Sequence, residues 1–295
     1  MKSTSKRGLA VVTGAAGGLG SSFANKLAEQ GYSLLLVDRR PAQLEQVCES
    51  IAARHGTRTE PYAVDLCKRE EVEQLGKRLA QRADVELLVN NAGFGTIGYF
   101  VDTDPNYLVG MADVHVVAPT ILIRAVLPGM IERDSGAIIN VSSLGAWFQS
   151  AANAQYGSTK CYLASFSMSL HQELRGTNVR VQALCPGFVR TEFHAAESMQ
   201  GFNLRCAPAA HMWMTADEVV TCSLRRLPGK QVIVIPGFGY SVLGRLAQMP
   251  VVQPLIQWIT WGPRLTPSPT PSPAPAIDAC PAAVLRVQEE TGAAS

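Results

Sequence analysis

Residues 9–20, Leu-Ala-Val-Val-Thr-Gly-Ala-Ala-Gly-Gly-Leu-Gly, join an apolar run to a cluster of glycines, and this stretch decides the fold. The run at 9–14 predicts a β-strand, and the amphipathic residues 18–30 predict a helix directly after it. Glycines permit a tight turn between the two, and the backbone N–H groups at the start of the helix can then bind a diphosphate. Taken alone, the cluster also fits a sharp strand-to-helix turn that binds nothing.

The alternation of strand and helix continues to about residue 237. Short apolar runs predict strands at 33–38, 60–65, 85–90, 136–143, 179–187 and 231–237, and the residues between predict helices at 41–55, 68–82, 105–133 and 153–176. Runs such as Leu34-Leu35-Leu36-Val37 lack polar alternation, as strands covered on both faces do. The predicted fold class is therefore α/β, a doubly wound parallel sheet (Rossmann fold) in three α/β/α layers. It forms one domain over residues 8–240.

The end of the second predicted strand bears on the choice of ligand. Asp38 follows Gly20 by 18 residues, where a carboxylate can accept hydrogen bonds from the adenosine ribose hydroxyls of a dinucleotide. A carboxylate at this place repels a 2′-phosphate and favours NAD. Arg39 and Arg40 come next, and an arginine here can bind that phosphate instead. The sequence therefore favours NAD slightly and leaves NADP open.

Composition excludes several classes of protein. Of 295 residues, 47% are hydrophobic and 17% charged, which is enough apolar material for a large core and too little charge for a disordered chain. The net charge of +2 and the absence of a basic run argue against a nucleic-acid partner. Seven cysteines without a C-x-x-C pair argue against a metal site or a disulfide framework and fit a reducing compartment. No signal peptide or 18-residue apolar run is evident, so a cytoplasmic soluble enzyme is expected.

The C-terminal residues differ from the rest of the chain. Residues 241–262 form an apolar extension, and residues 263–295 include a Pro/Ser-rich stretch that predicts a flexible tail. The extension is expected to pack on the body or across a subunit interface. The alternative is that 243–262 contacts lipid or covers an apolar substrate pocket, since Trp258 and Trp261 suit a membrane interface.

Five motifs in order then point to a family. The chain carries Thr13-Gly14-x-x-x-Gly18-x-Gly20, Asn90-Asn91-Ala92-Gly93, Ser143, Tyr156-x-x-x-Lys160 and Pro186-Gly187-x-x-x-Thr191. Together, over about residues 8–240, they resemble the single-domain branch of the short-chain dehydrogenases/reductases. The resemblance implies an oxidoreductase that passes a hydride between NAD or NADP and an alcohol or ketone.

The resemblance also implies the catalytic residues. Tyr156 is expected to be the acid/base that exchanges a proton with the substrate oxygen. Lys160, four residues later on the same helical face, is expected to lower the pKa of the phenol and to bind the nicotinamide ribose. Ser143 is expected to donate a hydrogen bond to the substrate oxygen. Without the other motifs, Tyr156 and Lys160 would be an ordinary amphipathic pair.

The cofactor contacts that the resemblance implies are spread over six segments. They comprise Thr13, Gly14, Gly18, Leu19, Gly20, Asp38, Arg39, Asp65, Asn91, Ala92, Gly93, Tyr156, Lys160, Pro186, Gly187, Val189 and Thr191. Two of these roles have structural alternatives. Asp65 either meets the adenine amine or caps a helix, and the Asn90-Gly93 motif either shapes the adenosine side or holds the fourth strand.

One position departs from the family. His115 stands in Asp113-Val114-His115-Val116, where the family has an asparagine that holds a water beside the lysine. Three hypotheses follow: His115 replaces the asparagine in proton relay, the relay is weaker and turnover slow, or His115 is a core histidine satisfied by a backbone carbonyl.

The substrate is expected to be an apolar alcohol or ketone. The segment 192–215 and its surroundings contribute aromatic and methionine side chains that can line a pocket, namely Phe94, Trp147, Phe148, Phe193, Met199, Phe202, Met212, Trp213 and Met214. The same residues also fit plain packing. Alternative functions are an epimerase or dehydratase on the same scaffold, or a cofactor-binding protein with little turnover. The family resemblance also implies a homodimer or homotetramer.

Overall fold

Seven parallel strands form the central sheet of the protein. The computed structural model describes residues 7–96, 98–148, 152–191, 213–249 and 251–252. The sheet order is β3-β2-β1-β4-β5-β6-β9, with strands β1 (Leu9–Thr13), β2 (Ser33–Asp38), β3 (Thr59–Ala63), β4 (Val85–Asn90), β5 (Gly136–Val141), β6 (Val179–Leu184) and β9 (Ile233–Val234). A separate two-residue pair joins β7 (Val189–Arg190) to β8 (Met214–Thr215). The predicted doubly wound fold is confirmed.

In the described ranges, eight α-helices flank the sheet. They are α1 (Gly18–Glu29), α2 (Pro41–His55), α3 (Arg69–Ala80), α4 (Pro105–Ala112), α5 (Ala118–Glu132), α6 (Ala154–Glu173), α7 (Ala216–Arg226) and α8 (Phe238–Ala247). A π-helical turn at Asp113–Val117 joins α4 to α5, and 3₁₀ turns lie at Phe100–Asp102 and Leu144–Trp147. Helix α7 was not predicted, although Thr215 and Glu218 form a capping box that marks its start.

The strands are buried on both faces, as their sequences predict. Alternate residues of β1 serve the two cores: Leu9 and Val11 pack with the layer of α3 and α5, and Ala10 and Val12 pack with the layer of α1 and α2. The edge strand β3 is the exception, since only some of its residues are partly buried. It is displaced by a residue or two from the predicted 60–65.

The sheet reverses its winding at β1. This strand pairs with β2 on one side and with β4 on the other, so the connections leave the sheet in opposite directions there. Ligands of doubly wound sheets bind in the crevice that this reversal opens at the carboxyl ends of the strands. The glycine turn after β1 therefore lies where a dinucleotide site is expected.

The helical run from Pro105 to Glu132 corrects one expectation. The sequence was expected to hold no stretch apolar and long enough to span a membrane, but this run is both by composition. In the structure it packs against α3 and the sheet, and Leu122, Ile123 and Met130 are almost completely buried. A core helix of a globular protein passes the same test, so its apolarity is explained by packing.

The C-terminal residues are described only in part. Helix α8 continues past residue 240, where the predicted domain ends, and its Tyr240 and Ala247 are buried against the body. The remainder of the predicted extension, 253–262, and the predicted flexible tail, 263–295, lie outside the described residues.

Candidate active site

The turn between β1 and α1 is built so that only glycine fits at two positions. Gly14 has φ +65°, and a Cβ on it would lie 2.8 Å from the Cα of Ala92. A Cβ on Gly20 would lie 2.0 Å from the carbonyl oxygen of Gly14, which is much closer than any real contact. Helix α1 then begins at Gly18, packs Leu19 on the core, and has neither a side-chain cap nor an acidic residue in its first turn. Its N-terminal N–H groups and partial positive charge are thus left for an anion.

Thr13 and Asn91 tie this turn to the end of β4. The Nδ2 of Asn91 donates to the carbonyl oxygens of Thr13 (2.8 Å) and Gly14 (3.2 Å). The Oγ1 of Thr13 accepts from the backbone N–H groups of Asn91 and Ala92, each at 3.0 Å. These bonds satisfy buried backbone groups and fix the shape of the crevice, so both residues have a structural role in the turn.

Asp38 is engaged by Arg40 rather than open to the crevice. Its Oδ1 accepts from the Nε (3.0 Å) and backbone N–H (3.1 Å) of Arg40, and its Oδ2 accepts from the backbone N–H of Ala16 (3.0 Å) and the Nη2 of Arg40 (3.2 Å). The Nη2 of Arg40 also lies 3.7 Å from where a Cβ on Gly17 would be. The guanidinium of Arg40 therefore lies beside both this carboxylate and the glycine turn, a pairing that sequence spacing did not predict.

Asp65 forms a turn just before α3, whose N-cap is Lys68 and has no side-chain cap. Its Oδ1 accepts from the backbone N–H of Cys67 at 3.0 Å, and its own backbone N–H donates to Glu71 at 2.8 Å. The bond to Asp65 contributes to holding the pKa of the Glu71 carboxyl below its usual range. The helix-capping alternative that the sequence left open is therefore not found, since Asp65 bonds a residue ahead of the helix, and the adenine contact stays a prediction.

Three predicted catalytic side chains converge at the carboxyl ends of β5 and β6. The Tyr156 phenol is hydrogen-bonded to the Ser143 side chain, which in turn accepts from the backbone N–H of Gly145 at 3.1 Å. The Nζ of Lys160 lies 5.7 Å from the centroid of the Tyr156 ring. Helix α6 carries both Tyr156 and Lys160, and the 3₁₀ turn after β5 presents Ser143 to them.

Lys160 is buried, and among the described residues its ammonium donates to one backbone carbonyl. Its Nζ donates to the carbonyl oxygen of Val141 at 2.9 Å, and the Oγ of Ser142 bonds the Lys160 carbonyl at 2.6 Å. Burial disfavours the ammonium, and with no carboxylate partner in the described part of the chain the pKa of Lys160 is lowered to about 8. This lysine therefore titrates near the physiological range.

The expected effect of Lys160 on Tyr156 is not found in this structure. Burial raises the pKa of the Tyr156 phenol above its ordinary value, and the hydrogen bond from Ser143 opposes that shift only in part. Lys160 is directed to Val141 rather than to the phenol oxygen, which explains why it does not lower the pKa of Tyr156 here. The role of Lys160 in lowering the pKa of the phenol is therefore not visible in this arrangement and stays a prediction.

His115 enters the site because of a break in helix geometry. Pro119 has no N–H to donate to the carbonyl of His115 four residues earlier, and the helix widens there into the π-turn, where the N–H of Ala118 bonds the Asp113 carbonyl. The turn places the imidazole between the loop after β4 and helix α6. A Cβ on Gly93 would lie 2.6 Å from its Nε2, so glycine is required at that position as well.

The hydrogen bonds of His115 fix its tautomer. The backbone N–H of Phe94 donates to Nε2 at 3.1 Å, so Nε2 carries no proton. Thr159 donates its hydroxyl to the carbonyl of Tyr156, and its Oγ1 therefore accepts from Nδ1 at 2.8 Å. Burial, and secondly the charge of Lys160, hold the pKa of His115 well below 6.5. Of the three hypotheses, the satisfied core histidine agrees best with this geometry. Its partners are a backbone N–H and a hydroxyl rather than a carbonyl.

Comparison with known proteins decides what this arrangement is. A profile of the short chain dehydrogenase family matches residues 8–200. The chain belongs to the short-chain dehydrogenase family. It is 34% identical over 223 residues to hydroxysteroid dehydrogenase-like protein 1 of Gallus gallus, covering 75% of this chain and 67% of that protein. It is also 34% identical over 187 residues to very-long-chain 3-oxoacyl-CoA reductase of Homo sapiens, covering 62% and 60%.

A solved structure agrees with this assignment. The short-chain dehydrogenase from Sphingobium yanoikuyae, determined in complex with NADPH, superposes with a TM-score of 0.73 at 26% identity and covers 85% of this chain and 95% of its own. The match spans about three fifths to two thirds of the length of the two relatives named above.

In this short-chain dehydrogenase, helix α8 covers the turn after β6. The carbonyl of Pro186 accepts from the backbone N–H of Leu144 at 2.8 Å. A Cβ on Gly187 would lie 2.5 Å from the ring of Tyr240, which the sequence did not predict as part of the site. Val189 is buried in β7, and Thr191 is the last described residue before residue 213.

The predicted substrate segment is mostly outside the described residues. Phe193, Met199, Phe202 and Met212 lie there, whereas Trp213 packs its ring 5.1 Å from that of Phe188. Near the predicted catalytic residues, Phe94 packs edge-on against Tyr107, with 4.8 Å between ring centroids. The apolar pocket therefore stays a prediction.

Sequence reasoning missed Thr159 and Val141 as partners of the predicted site. Thr159 directly precedes Lys160 in the Tyr156-x-x-x-Lys160 motif, so the spacing already indicates that Thr159 lies close to the predicted catalytic residues. The carbonyl of Val141 left no signal, because any residue type supplies one.

Proposed function

We propose that this protein is an NAD(P)-dependent oxidoreductase that interconverts a ketone and its alcohol. The observation that carries the proposal is the convergence of Ser143, Tyr156 and Lys160 beside the glycine turn of a doubly wound sheet. When bound, a nicotinamide cofactor supplies or accepts the hydride. The relatives' names, dehydrogenase and reductase, support this function over an epimerase, a dehydratase or a binding protein without turnover.

The residues present fit a dinucleotide. The turn leaves no room for a side chain at Gly14 or Gly20, and the uncapped start of α1 offers N–H groups for the diphosphate. At the base of the crevice, the backbone is fixed by hydrogen bonds among Thr13, Asn91 and Ala92. Lys160 Nζ lies 3.3 Å from where a Cβ on Gly93 would be, so a glycine there keeps the approach to the ammonium clear.

Each catalytic side chain has a distinct task in the proposal. Tyr156 exchanges the proton with the substrate oxygen, Ser143 orients that oxygen, and Lys160 supplies a positive charge beside both. His115 is a positioning residue, since it links the loop at Phe94 to Thr159 on the catalytic helix. A neutral imidazole with both nitrogens engaged holds these elements together without transferring a proton.

We propose that Tyr156 donates the proton in ketone reduction and accepts it in alcohol oxidation. A phenol whose pKa is raised by burial is protonated at neutral pH and is therefore ready to donate. The test of the proposed function is a screen of apolar ketones and alcohols with NADH, NADPH and their oxidised forms, followed by the absorbance of the reduced ring. A bound cofactor that is never turned over by any member of the panel would contradict it.

The pH dependence of kcat/KM is expected to report the titration of the Lys160 ammonium. Because burial lowers its pKa to about 8, kcat/KM for ketone reduction is expected to be level below that pH and to fall by up to about tenfold per unit above it. The measurement is kcat/KM from pH 6 to 10, with thermal melts over the same range to exclude unfolding. A level profile across the whole alkaline range would mean that the charge of Lys160 is not required.

The cofactor preference is proposed to depend on Arg40. Arg40 already neutralises Asp38, and its guanidinium lies beside the glycine turn, where it suits a 2′-phosphate. NAD, which the sequence favours slightly, would need Asp38 to exchange a bond to Arg40 for one to the ribose. We therefore propose that both cofactors bind.

Arg40→Ala is expected to weaken NADPH binding about tenfold or more, because it removes a charge-assisted bond and exposes the Asp38 carboxylate to the phosphate. NADH binding is expected to stay within a few-fold or to tighten. Fluorescence titration of both reduced cofactors measures this, and Arg39→Ala is the matched control. If Arg39→Ala alone weakens NADPH, the assignment to Arg40 is wrong.

The substrate class is proposed to be apolar and bulky. Phe94, Trp147 and Trp213 are partly buried near the site, and relatives are named for hydroxysteroid and very-long-chain 3-oxoacyl chemistry.

Pairing with a second copy through α5 is also proposed, because this helix carries a groove of about 450 Å³ lined by Leu127, Pro128 and Ile131. A cytoplasmic location stays a prediction, consistent with five cysteines in the described part of the chain that form no disulfide.

A further inference from the structure

A small apolar core joins α8 to the elements that carry the predicted catalytic residues. Leu144 in this core follows Ser143, Ala164 lies four residues after Lys160 on α6, and Tyr240 belongs to α8. The complete core comprises Leu144, Ala164, Ala183, Cys185, Ile235 and Tyr240. From the contacts of Tyr240, we propose that it is a positioning residue, which holds the turn at 186–188 in a fixed relation to Ser143.

Two neighbouring turns follow strands β5 and β6 at their carboxyl ends. The first begins at Ser143, and the second contains Pro186 and Gly187. The backbone N–H of Leu144 donates to the carbonyl of Pro186 at 2.8 Å and so links the two turns. One hydrogen bond fixes a single point of contact, and the tilt of the second turn then depends on what packs against it.

The side chain of Tyr240 packs against that second turn. A Cβ on Gly187 would lie 2.5 Å from the Cζ of Tyr240 and 2.6 Å from both its Cε1 and its Cε2. Real contacts are longer than this, so a side chain at 187 and the ring of Tyr240 cannot both keep their places. The Tyr240 hydroxyl also accepts from the backbone N–H of Phe188 at 3.3 Å. Two consecutive residues of the turn therefore rest on one side chain, which is itself only 4% exposed.

Helix α8 holds Tyr240 in place and contacts the turn at Ser143 as well. Gly244 lies one helical turn after Tyr240 on the same face, and a Cβ on it would lie 3.0 Å from the Cδ1 of Leu144 and 2.5 Å from the Cδ1 of Ile235. The hydroxyl of Ser241 donates to the carbonyl of Ile235 at 2.7 Å. The same rigid face of α8 therefore supports both turns, and loss of the Tyr240 ring removes the support of only one of them.

The relation between the two turns matters for the reaction. In the proposed function Ser143 orients the substrate oxygen, and Pro186 and Gly187 are among the predicted cofactor contacts. The packing of Tyr240 therefore affects how the substrate and the cofactor are aligned, and a misplacement of about 1 Å can lower a rate about a hundredfold. This consequence rests on the proposed function, whereas the support of the turn by Tyr240 does not.

Tyr32 is the matched control for Tyr240. It is also buried (8% exposed), and its hydroxyl accepts from Nη1 of Arg7 at 2.7 Å. It directly precedes β2, so it lies at the amino ends of the strands, opposite the predicted crevice. Replacement of either tyrosine removes a buried ring and a hydrogen bond, but only one of the two rings contacts the predicted site.

The kinetic test compares Tyr240→Leu, Tyr240→Phe and Tyr32→Leu in the full chain. Tyr240→Leu is expected to lower kcat for ketone reduction about tenfold to a hundredfold, because the turn loses its support. The primary isotope effect measured with deuterated reduced cofactor is expected to rise, since hydride transfer becomes the slow step. Tyr240→Phe keeps the ring and should retain most of kcat. Tyr32→Leu should lower the melting temperature and leave both kcat and the isotope effect unchanged.

A double variant tests the contact between Tyr240 and Gly187. Leucine lacks the three ring atoms that a Cβ at position 187 would meet. Gly187→Ala is therefore expected to be more harmful in the unchanged protein than in the Tyr240→Leu variant, so that the two losses in kcat do not multiply. Losses that multiply would mean that the two residues act separately, and this result would overturn the proposal.

Hydrogen exchange gives a second measurement that needs no turnover. In both Tyr240 variants the backbone N–H of Phe188 loses the hydroxyl acceptor, so its exchange in the cofactor-free protein is expected to be about tenfold faster. The N–H of Cys185, which donates to the carbonyl of Val234 at 2.8 Å, is the internal reference for general loss of stability. If the unchanged protein reduces no ketone, the proposed function fails, and this exchange alone decides whether Tyr240 holds the turn. Exchange at Phe188 that follows Cys185 in every variant, or an equal loss of kcat in Tyr240→Leu and Tyr32→Leu, overturns the proposal.

Discussion

Replacement of Tyr156 by phenylalanine is expected to lower kcat about 10³-fold, the middle of the range for loss of a general acid. The change removes one oxygen and leaves the ring, so the packing of α6 against the loop at Phe94 is kept. The hydroxyl it removes is the one bonded to Ser143 and held protonated by burial. Cofactor affinity is expected to change by no more than a few-fold, because the glycine turn and Lys160 are untouched.

Tyr162→Phe is the matched control for this experiment. Tyr162 lies on the same helix, stacks on Phe166 with 5.6 Å between ring centroids, and shares a hydrogen bond with Thr120 at 3.1 Å on the exposed side. Steady-state rates and cofactor titrations of both variants should show a large loss of kcat in one and almost none in the other. Turnover that survives Tyr156→Phe would require another proton donor.

The fold was predictable because its strands are buried on both faces. In β1 and β2 the residues that face each of the two cores are apolar. Such runs indicate strands covered on both faces, and therefore a parallel sheet between two layers of helices. The edge strand β3 has one covered side and a proline, and its bounds were accordingly less accurate. Helix α7 lies in the layer of α1, and only its capping box marked it in the sequence.

The predictable part of the site is the part that depends on spacing. A four-residue separation places Tyr156 and Lys160 on one face of α6, and the glycine positions follow from close backbone approaches. What could not be predicted depends on which atom each group faces. Lys160 donates a hydrogen bond to the carbonyl of Val141, and Arg40 forms an ion pair with Asp38. No pattern in the sequence predicts either contact.

His115 illustrates the same limit. The sequence identified the departure from the family asparagine but left its consequence open. The decisive features are the π-turn that Pro119 imposes and the two bonds that fix the tautomer. Pro119 was visible in the sequence, and the missing N–H four residues after His115 was the available signal.

Lys160→Met is expected to abolish turnover and at the same time to stabilise the cofactor-free protein. In the part of the chain that the structure describes, Lys160 is buried without a carboxylate partner. Lowering its pKa from 10.5 to about 8 corresponds to roughly 3 kcal/mol of destabilisation of the folded state at neutral pH. Methionine has a similar length and no charge. It loses the bond to Val141, worth about 1 kcal/mol, so a net gain of about 2 kcal/mol in the free energy of unfolding is expected.

The sign of the pH dependence separates this charge effect from better packing. Below about pH 8 the Lys160 ammonium is present in both the folded and the unfolded protein. The folded protein is then destabilised by the full free-energy cost of desolvating this charge. Between about 8 and 10.5 the folded protein loses the proton first, so the stability of the unchanged protein rises with pH across this window. The advantage of Lys160→Met should therefore be largest at neutral pH and should disappear above pH 10.5. Urea unfolding at pH 7, 9 and 10.5 measures it. A constant difference would assign the gain to packing, and a destabilised variant at pH 7 would show that the buried ammonium is held by partners stronger than one carbonyl.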